Sequence, residues 1–105
     1  MTTKPGEVWL ADLGIAGKVR PVVIVSREDS NPPRQLVLYV PLTTQDRGTA
    51  YEVAIGKLRF LDQVCVANVQ GLGSLPISRL ERRLGVLPAE LLEEVRTALR
   101  QAMVL

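Results

Sequence analysis

A single change of hydrophobic period divides this chain. Up to Leu87 the apolar residues come in short runs, rich in valine and isoleucine and broken by glycine or proline, the signature of buried or half-buried strands. After Pro88 they recur at helical spacing. Leu91, Leu92, Val95, Ala98, Leu99 and Ala102 share one face, with Glu90, Glu94, Arg96 and Arg100 turned outward. Pro88 suits the first helical position, and the early glutamates suit the positive end of the helix dipole. Short strands followed by one amphipathic helix predict a mainly β chain, a small and strongly curved antiparallel barrel with the C-terminal α-helix packed on one end. The 105 residues suffice for one core, and no linker or repeat interrupts them, so a single domain over 1–105 is expected.

The strands are expected as follows. Glu7 to Asp12 alternates as a first strand, with Val8, Leu10 or Trp9 facing inward according to register. Leu13 to Lys18 is a short loop with two glycines. Val19 to Ser26 is apolar on both faces and therefore central, with Pro21 holding Arg20 extended at the strand's mouth. Asp29 to Arg34 is a loop, since Pro32 and Pro33 can join neither helix nor sheet interior. Leu36 to Val40 is a third strand stopping at Pro41, and Tyr51 to Ile55 a fourth, turned by Gly56 and Lys57. Leu58 to Ala67 is expected to make one or two more, interrupted at Asp62 and Gln63. A turn at Gly71–Ser74, a short helical turn within Leu75–Leu80 and a last strand from Arg82 to Leu87 complete the β part.

Composition excludes several chemistries. There is no histidine, which removes the commonest general base, proton shuttle and zinc ligand together. The one cysteine, Cys65, stands among Val64, Val66 and Ala67 and reads as a small buried hydrophobe. No glycine-rich phosphate loop or Cys/His cluster is present, so neither a metal nor a cofactor is expected. No apolar run approaches the roughly 18 to 20 residues of a membrane helix, and the first residues lack the apolar core of a secretory signal. The cytoplasm is the expected compartment, with no membrane partner. A net charge of +2 permits a polyanionic partner without demanding one.

Chemistry must therefore run on arginine, hydroxyls and carboxylates at strand ends. Three points qualify: Arg20, the segment Thr43-Thr44-Gln45, and Asp62-Gln63. Taken singly each has an ordinary reading, as a surface charge, a turn hydroxyl and a strand-end carboxylate. Together on one rim they could surround a phosphate with a cation, a hydroxyl and a carboxylate.

Their order and surroundings carry a resemblance. Gly6-Glu7-Val8-Trp9 with Asp12-Leu13, Val19-Arg20-Pro21-Val22-Val23-Ile24, Val40-Pro41-Leu42-Thr43-Thr44-Gln45, Asp62-Gln63 and the closing Leu91 to Leu99 resemble the MazF/PemK family of toxin endoribonucleases. The resemblance covers nearly the whole chain. It implies an SH3-like barrel shared with CcdB-type toxins, a homodimer, and metal-independent cleavage of single-stranded RNA at short sequences, held in check by a cognate antitoxin. It also implies attack by the RNA's own 2′-hydroxyl, leaving a 2′,3′-cyclic phosphate. Arg20 matches the family's catalytic arginine and Thr43 its catalytic threonine, while Gln45, Asp62 and Gln63 match positions lining the RNA groove. Asp62 is the candidate for proton transfer, and Lys18, Thr44 and Arg47 join Gln45 and Gln63 as candidate RNA contacts. Relative to many members the first loop is short and lacks an acid, Cys65 replaces an arginine, and Phe60 replaces a basic residue. The alternatives are a barrel of the same fold that binds a protein target without cleavage, and a nucleic-acid binding module without turnover. Few aromatics for base stacking weaken the second. Neither the cleavage sequence nor the antitoxin's identity is written in the chain.

Overall fold

A computed structural model describes residues 2–14 and 18–105. Its strands are β1 (Glu7–Asp12), β2 (Val19–Ile24), β3 (Leu36–Thr43), β4 (Glu52–Gly56), β5 (Cys65–Asn68), β6 (Gly73–Pro76) and β7 (Leu80–Val86), followed by the helix α1 (Ala89–Met103). The strands pair in the order β4-β5-β3-β2-β1-β7, and every pairing is antiparallel. β3 is the longest strand, and two partners divide its far edge. β6 takes Leu36 to Tyr39, and β5 takes Leu42 and Thr43. Two register shifts in the β1/β7 ladder, between Val8 and Trp9 and between Leu10 and Ala11, bend that side of the sheet. The architecture is the mainly β, barrel-like sheet with one C-terminal helix that the hydrophobic pattern predicts.

β2 is central because both of its faces are covered. Val23 enters a larger core with Val8, Val40, Leu42, Val53, Ile55, Leu61, Ala67 and the helix residues Val95 and Ala98. Val22 and Ile24 enter a smaller one with Ala11, Val37, Leu75 and Leu80. All three β2 residues have no exposed surface. Burial of each side chain contributes on the order of 1.5–3 kcal/mol, so the strand carrying Arg20 is fixed from Val22 onward.

The structure departs from the sequence-based expectations at several places. β3 does not stop at Pro41 but runs through it to Thr43, because Leu42 and Thr43 pair with β5. Residues 57–64 form turns rather than a strand, and β5 begins only at Cys65. The reason is spacing: Leu58 and Leu61 both point into the core three residues apart and are joined by a Leu61 N–H bond to the Leu58 carbonyl at 2.9 Å, where a strand would need a separation of two. Gly73 and Ser74 belong to β6 instead of a turn. The turn lies earlier, as a 3-10 segment Val69–Gly71 capped by the Asn68 side chain on the Gln70 N–H. Ile77–Arg79 alone forms the helical turn, and β7 starts two residues earlier than expected, at Leu80. Pro88 precedes the helix with an extended backbone (φ −53°, ψ 145°), so the first helical residue is Ala89. Most of the loop expected at Leu13–Lys18 lies outside the described residues; Gly14 opens it with φ +77°.

Candidate functional site

The candidate residues sit where β2 begins and β3 ends. Side chains alternate between faces along a strand, so register decides which of them meet. Val22 pairs with Pro41 and Val23 with Val40. The β2/β3 ladder ends at Val22 and Pro41, and its alternation carried two residues further along each strand puts Arg20 and Thr43 on the face of Val22 and Pro41. Pro21 and Thr44 fall on the opposite face. The rim of the sheet therefore has two sides, with the arginine and the first threonine on one.

On that side lies a polar recess of about 320 Å³ lined by Pro41, Thr43, Gln45, Arg47, Thr49, Glu52, Asn68 and Gln70. Its loop is held by side chains that mimic turn hydrogen bonds. The Thr43 hydroxyl oxygen accepts from the Gln45 N–H at 3.2 Å and an Asp46 carboxylate oxygen from the Gly48 N–H at 2.8 Å. Glu52 accepts three bonds, from the Arg47 N–H (2.9 Å), the Thr49 N–H (3.0 Å) and the Thr49 hydroxyl (2.9 Å). Those donors, the two backbone N–H groups first, hold the Glu52 carboxyl below its ordinary pKa. The Thr43 arrangement matters chemically: with one lone pair engaged by a backbone donor, the hydroxyl proton remains available to a phosphate oxygen. Arg20 is exposed at the mouth of β2, and Lys18 is exposed just before it.

On the other side lies a second recess, about 260 Å³, lined by Leu10, Pro21, Thr44, Phe60, Leu61, Asp62, Gln63, Cys65, Arg82 and Leu84. Asp62, Gln63 and Thr44 are thus brought together, but across the rim from Thr43. The three residues expected around one phosphate divide, Arg20 and Thr43 on one face and Asp62 on the other. Cys65 is buried, its thiol donates to the Gln63 carbonyl at 3.4 Å, and burial pushes its pKa up, as expected of a packed hydrophobe. Phe60 is seated on β7 at Gly85, where a side chain would have no room. Sequence reasoning missed Glu52, which looks like any outward residue of an alternating strand, and Phe60, whose partner Gly85 is 25 positions away. Among the described residues no three His, Cys, Asp or Glu side chains gather as a metal-ion cluster. Among the described residues no helix is long and apolar enough to cross a membrane.

The family model described as PemK-like, MazF-like toxin of type II toxin-antitoxin system matches residues 4–103. The chain belongs to this family. The match runs from before β1 to the last turn of α1, so both recesses are part of the PemK/MazF domain. Among curated proteins, the chain is 36% identical over 72 residues to Endoribonuclease MazF3 of Mycobacterium tuberculosis, covering 69% of this chain and 70% of that one. It is 33% identical over 106 residues to Probable endoribonuclease MazF5 of the same organism, covering 98% and 96%. Among solved structures, a mycobacterial endoribonuclease in complex with its cognate antitoxin superposes with a TM-score of 0.85 at 29% identity, covering 98% of this chain and 96% of that one. The sheet and helix of this PemK/MazF chain are thus those of the toxin fold.

Proposed function

We infer that this chain is an endoribonuclease toxin of a type II toxin–antitoxin pair and that it cuts single-stranded RNA through Arg20 and Thr43. Its endoribonuclease relatives and the family match over residues 4–103 support the activity. The observation that supports the site is the β2/β3 register, whose alternation carried past Val22 and Pro41 puts Arg20 on the same face as Thr43, a residue of the polar recess wall.

A histidine-free site suits a reaction in which the substrate provides its own nucleophile. The 2′-oxygen bonds to the adjacent phosphorus as the bond to the 5′-oxygen breaks. The 2′-hydroxyl gives up its proton, the departing 5′-oxygen takes one up, and a 2′,3′-cyclic phosphate remains. No water enters this step. The protein must orient the phosphodiester and stabilise the charge gathering on its non-bridging oxygens. The Arg20 guanidinium is always charged and can bond two of those oxygens at once. The Thr43 hydroxyl donates a further hydrogen bond. Gln45 and Arg47, from the same recess, contact the flanking RNA, and Lys18 adds a charge at the approach.

The cognate antitoxin is the protein partner, in line with the solved mycobacterial complex. The active form is a homodimer. The exposed Met103, Val104 and Leu105 at the end of α1 are apolar surface for a second copy to cover. The toxin works in the cytoplasm, where its RNA substrate is. Incubation with an unstructured RNA in the presence of chelator tests this reading. The parent leaves 2′,3′-cyclic ends, and Arg20→Ala slows cleavage about 100- to 1,000-fold, the loss typical of one oxyanion donor. Arg20→Ala protein that cuts at the parent rate refutes the site, and a parent that binds RNA without cutting it refutes the activity.

A further inference from the structure

We propose that Arg79 is a positioning residue for RNA cleavage: it pins Asp12 at the root of the loop between β1 and β2 and so steadies the strand end that carries Arg20. This deepens the endoribonuclease reading above and rests on it. The end of β2 depends on β1 for support. Val22 is the last β2 residue paired to β3, so Val19 to Pro21 pair with β1 alone, Arg20 opposite Ala11 and Val19 opposite Asp12. The other edge of β1 loosens at the same level. Its ladder with β7 shifts register between Leu10 and Ala11 and closes at the Ala11/Leu80 pair. Asp12 therefore stands one residue beyond the last rung, and Arg79 is the residue just before that rung on the facing chain. Their side chains bridge the gap, with Arg79 Nη1 3.8 Å from Asp12 Oδ1.

The same carboxylate oxygen also starts the loop. It accepts from the Gly14 N–H at 2.8 Å, and the Leu13 N–H donates to the Lys18 carbonyl at 3.4 Å where the chain returns toward β2. Gly14 serves this arrangement twice. Its φ of +77° suits glycine, and a Cβ there would stand 2.8 Å from Arg79 Nη1. The guanidinium thus takes the space that a side chain at position 14 would need. Its own base is firm: the 3-10 turn Ile77–Arg79 is tied by the Ile77 N–H to the Gln35 carbonyl at 3.0 Å and lies between buried Leu75 and Leu80.

Both side chains of the pair are about half exposed, so the pair adds little to overall stability. Its effect falls on the loop root, which it can bias by no more than its own interaction, roughly 1.5- to 5-fold for an exposed pair. A small displacement of Arg20 lowers the rate without removing a contact to RNA, because reacting groups must be held closely. Direct phosphate binding by Arg79 is the competing use of its charge. The Asp12 carboxylate beside it already neutralises part of that charge.

The test measures kcat and KM on a short unstructured RNA for the parent, Arg79→Gln, Arg79→Lys, Asp12→Asn and the Asp12→Asn/Arg79→Gln double variant. The salt dependence of RNA binding, the melting temperature and the amide hydrogen exchange of Leu13 are followed alongside. Arg79→Gln lowers kcat about 2- to 5-fold with KM near the parent value, and so does Asp12→Asn, which keeps an acceptor for the Gly14 N–H. The double variant falls no further than either single one, and Arg79→Lys keeps more than about half of the parent kcat. Leu13 exchanges faster in Arg79→Gln by a similar factor. A lowered melting temperature with kcat unchanged shows a merely structural side chain and overturns the proposal. Losses that multiply in the double variant overturn it, as does Leu13 exchange that stays at the parent rate. A higher KM in Arg79→Gln but not in Asp12→Asn, with the salt slope reduced by about 0.7, shows a phosphate contact and overturns it too. Each of these outcomes leaves the nuclease standing. A parent that cuts no RNA removes that reading, and the role of Arg79 in cleavage goes with it.

Discussion

Gly85→Ala is the substitution whose effect follows most directly from the geometry. Gly85 lies within β7 without a left-handed backbone, so alanine suits its conformation and the change is purely one of space. Unstrained, the substitution would gain about 0.5–1 kcal/mol from lower backbone entropy in the unfolded chain. The new methyl instead falls at 2.3, 2.5 and 2.9 Å from three ring carbons of Phe60, against a normal carbon separation of about 3.5–4.0 Å. The ring must move by more than about 1 Å. Overpacking of this kind costs about 1–3 kcal/mol, and the moving ring drags the adjacent Asp62 and Gln63 with it. Urea unfolding of Gly85→Ala, Phe60→Ala and the double variant at constant m-value measures both effects. Phe60→Ala alone costs on the order of 1.5–3 kcal/mol as a half-buried aromatic. In its background Gly85→Ala costs nothing further, giving a coupling of about 1–3 kcal/mol. If Gly85→Ala costs less than about 0.5 kcal/mol, or the two changes simply add, Phe60 is not seated on β7.

Three further outcomes are expected. Thr43→Val loses about 1.5–3 kcal/mol of transition-state stabilisation, the worth of a hydrogen bond to a charged group, whereas Thr43→Ser retains most of the parent kcat in the same RNA assay. Glu52 has its folded pKa lowered from 4.5, chiefly by the Arg47 and Thr49 backbone N–H groups, so its contribution to stability is present above the unfolded value and is lost as pH falls through the lowered folded one. An acid titration of stability across that interval should fall less steeply for Glu52→Gln than for the parent, and identical profiles refute the loop assignment. Val95→Ala, at a fully buried position in α1, costs about 1.5–3 kcal/mol by thermal or urea unfolding; exposed Thr97→Ala on the same helix costs less than about 0.5.

Much of the fold was legible because its signals are local. The alternation in Glu7–Asp12, the two-sided apolar run after Pro21 and the change of period at Pro88 each specify an element within a few residues. The misread parts depend on partners distant in sequence. β6 is four residues with one buried side chain, Leu75, too short to display a period. It exists because the first half of β3 has an open edge to pair. Residues 57–64 look like strand because they are apolar, yet Leu58, Phe60 and Leu61 serve as anchors for a turn whose docking place, Gly85, no local pattern reveals. The candidate site shows the same division. Arg20 and Thr43 could be named from their settings in the chain, but which of Thr43 and Thr44 faces the arginine is a question of register, and Asp62 lies across the rim for the same reason.

The two-sided burial of β2 makes it a beam clamped from Val22 to Ile24, with its Val19 to Pro21 end held to β1 along one edge only. Vibration at the tip of such a beam is small when the free length is short. Whatever freedom the guanidinium retains comes from its own four torsions rather than from the chain beneath it. Changes of substrate range can therefore proceed through the loops flanking the tip, while the clamp is left as it is.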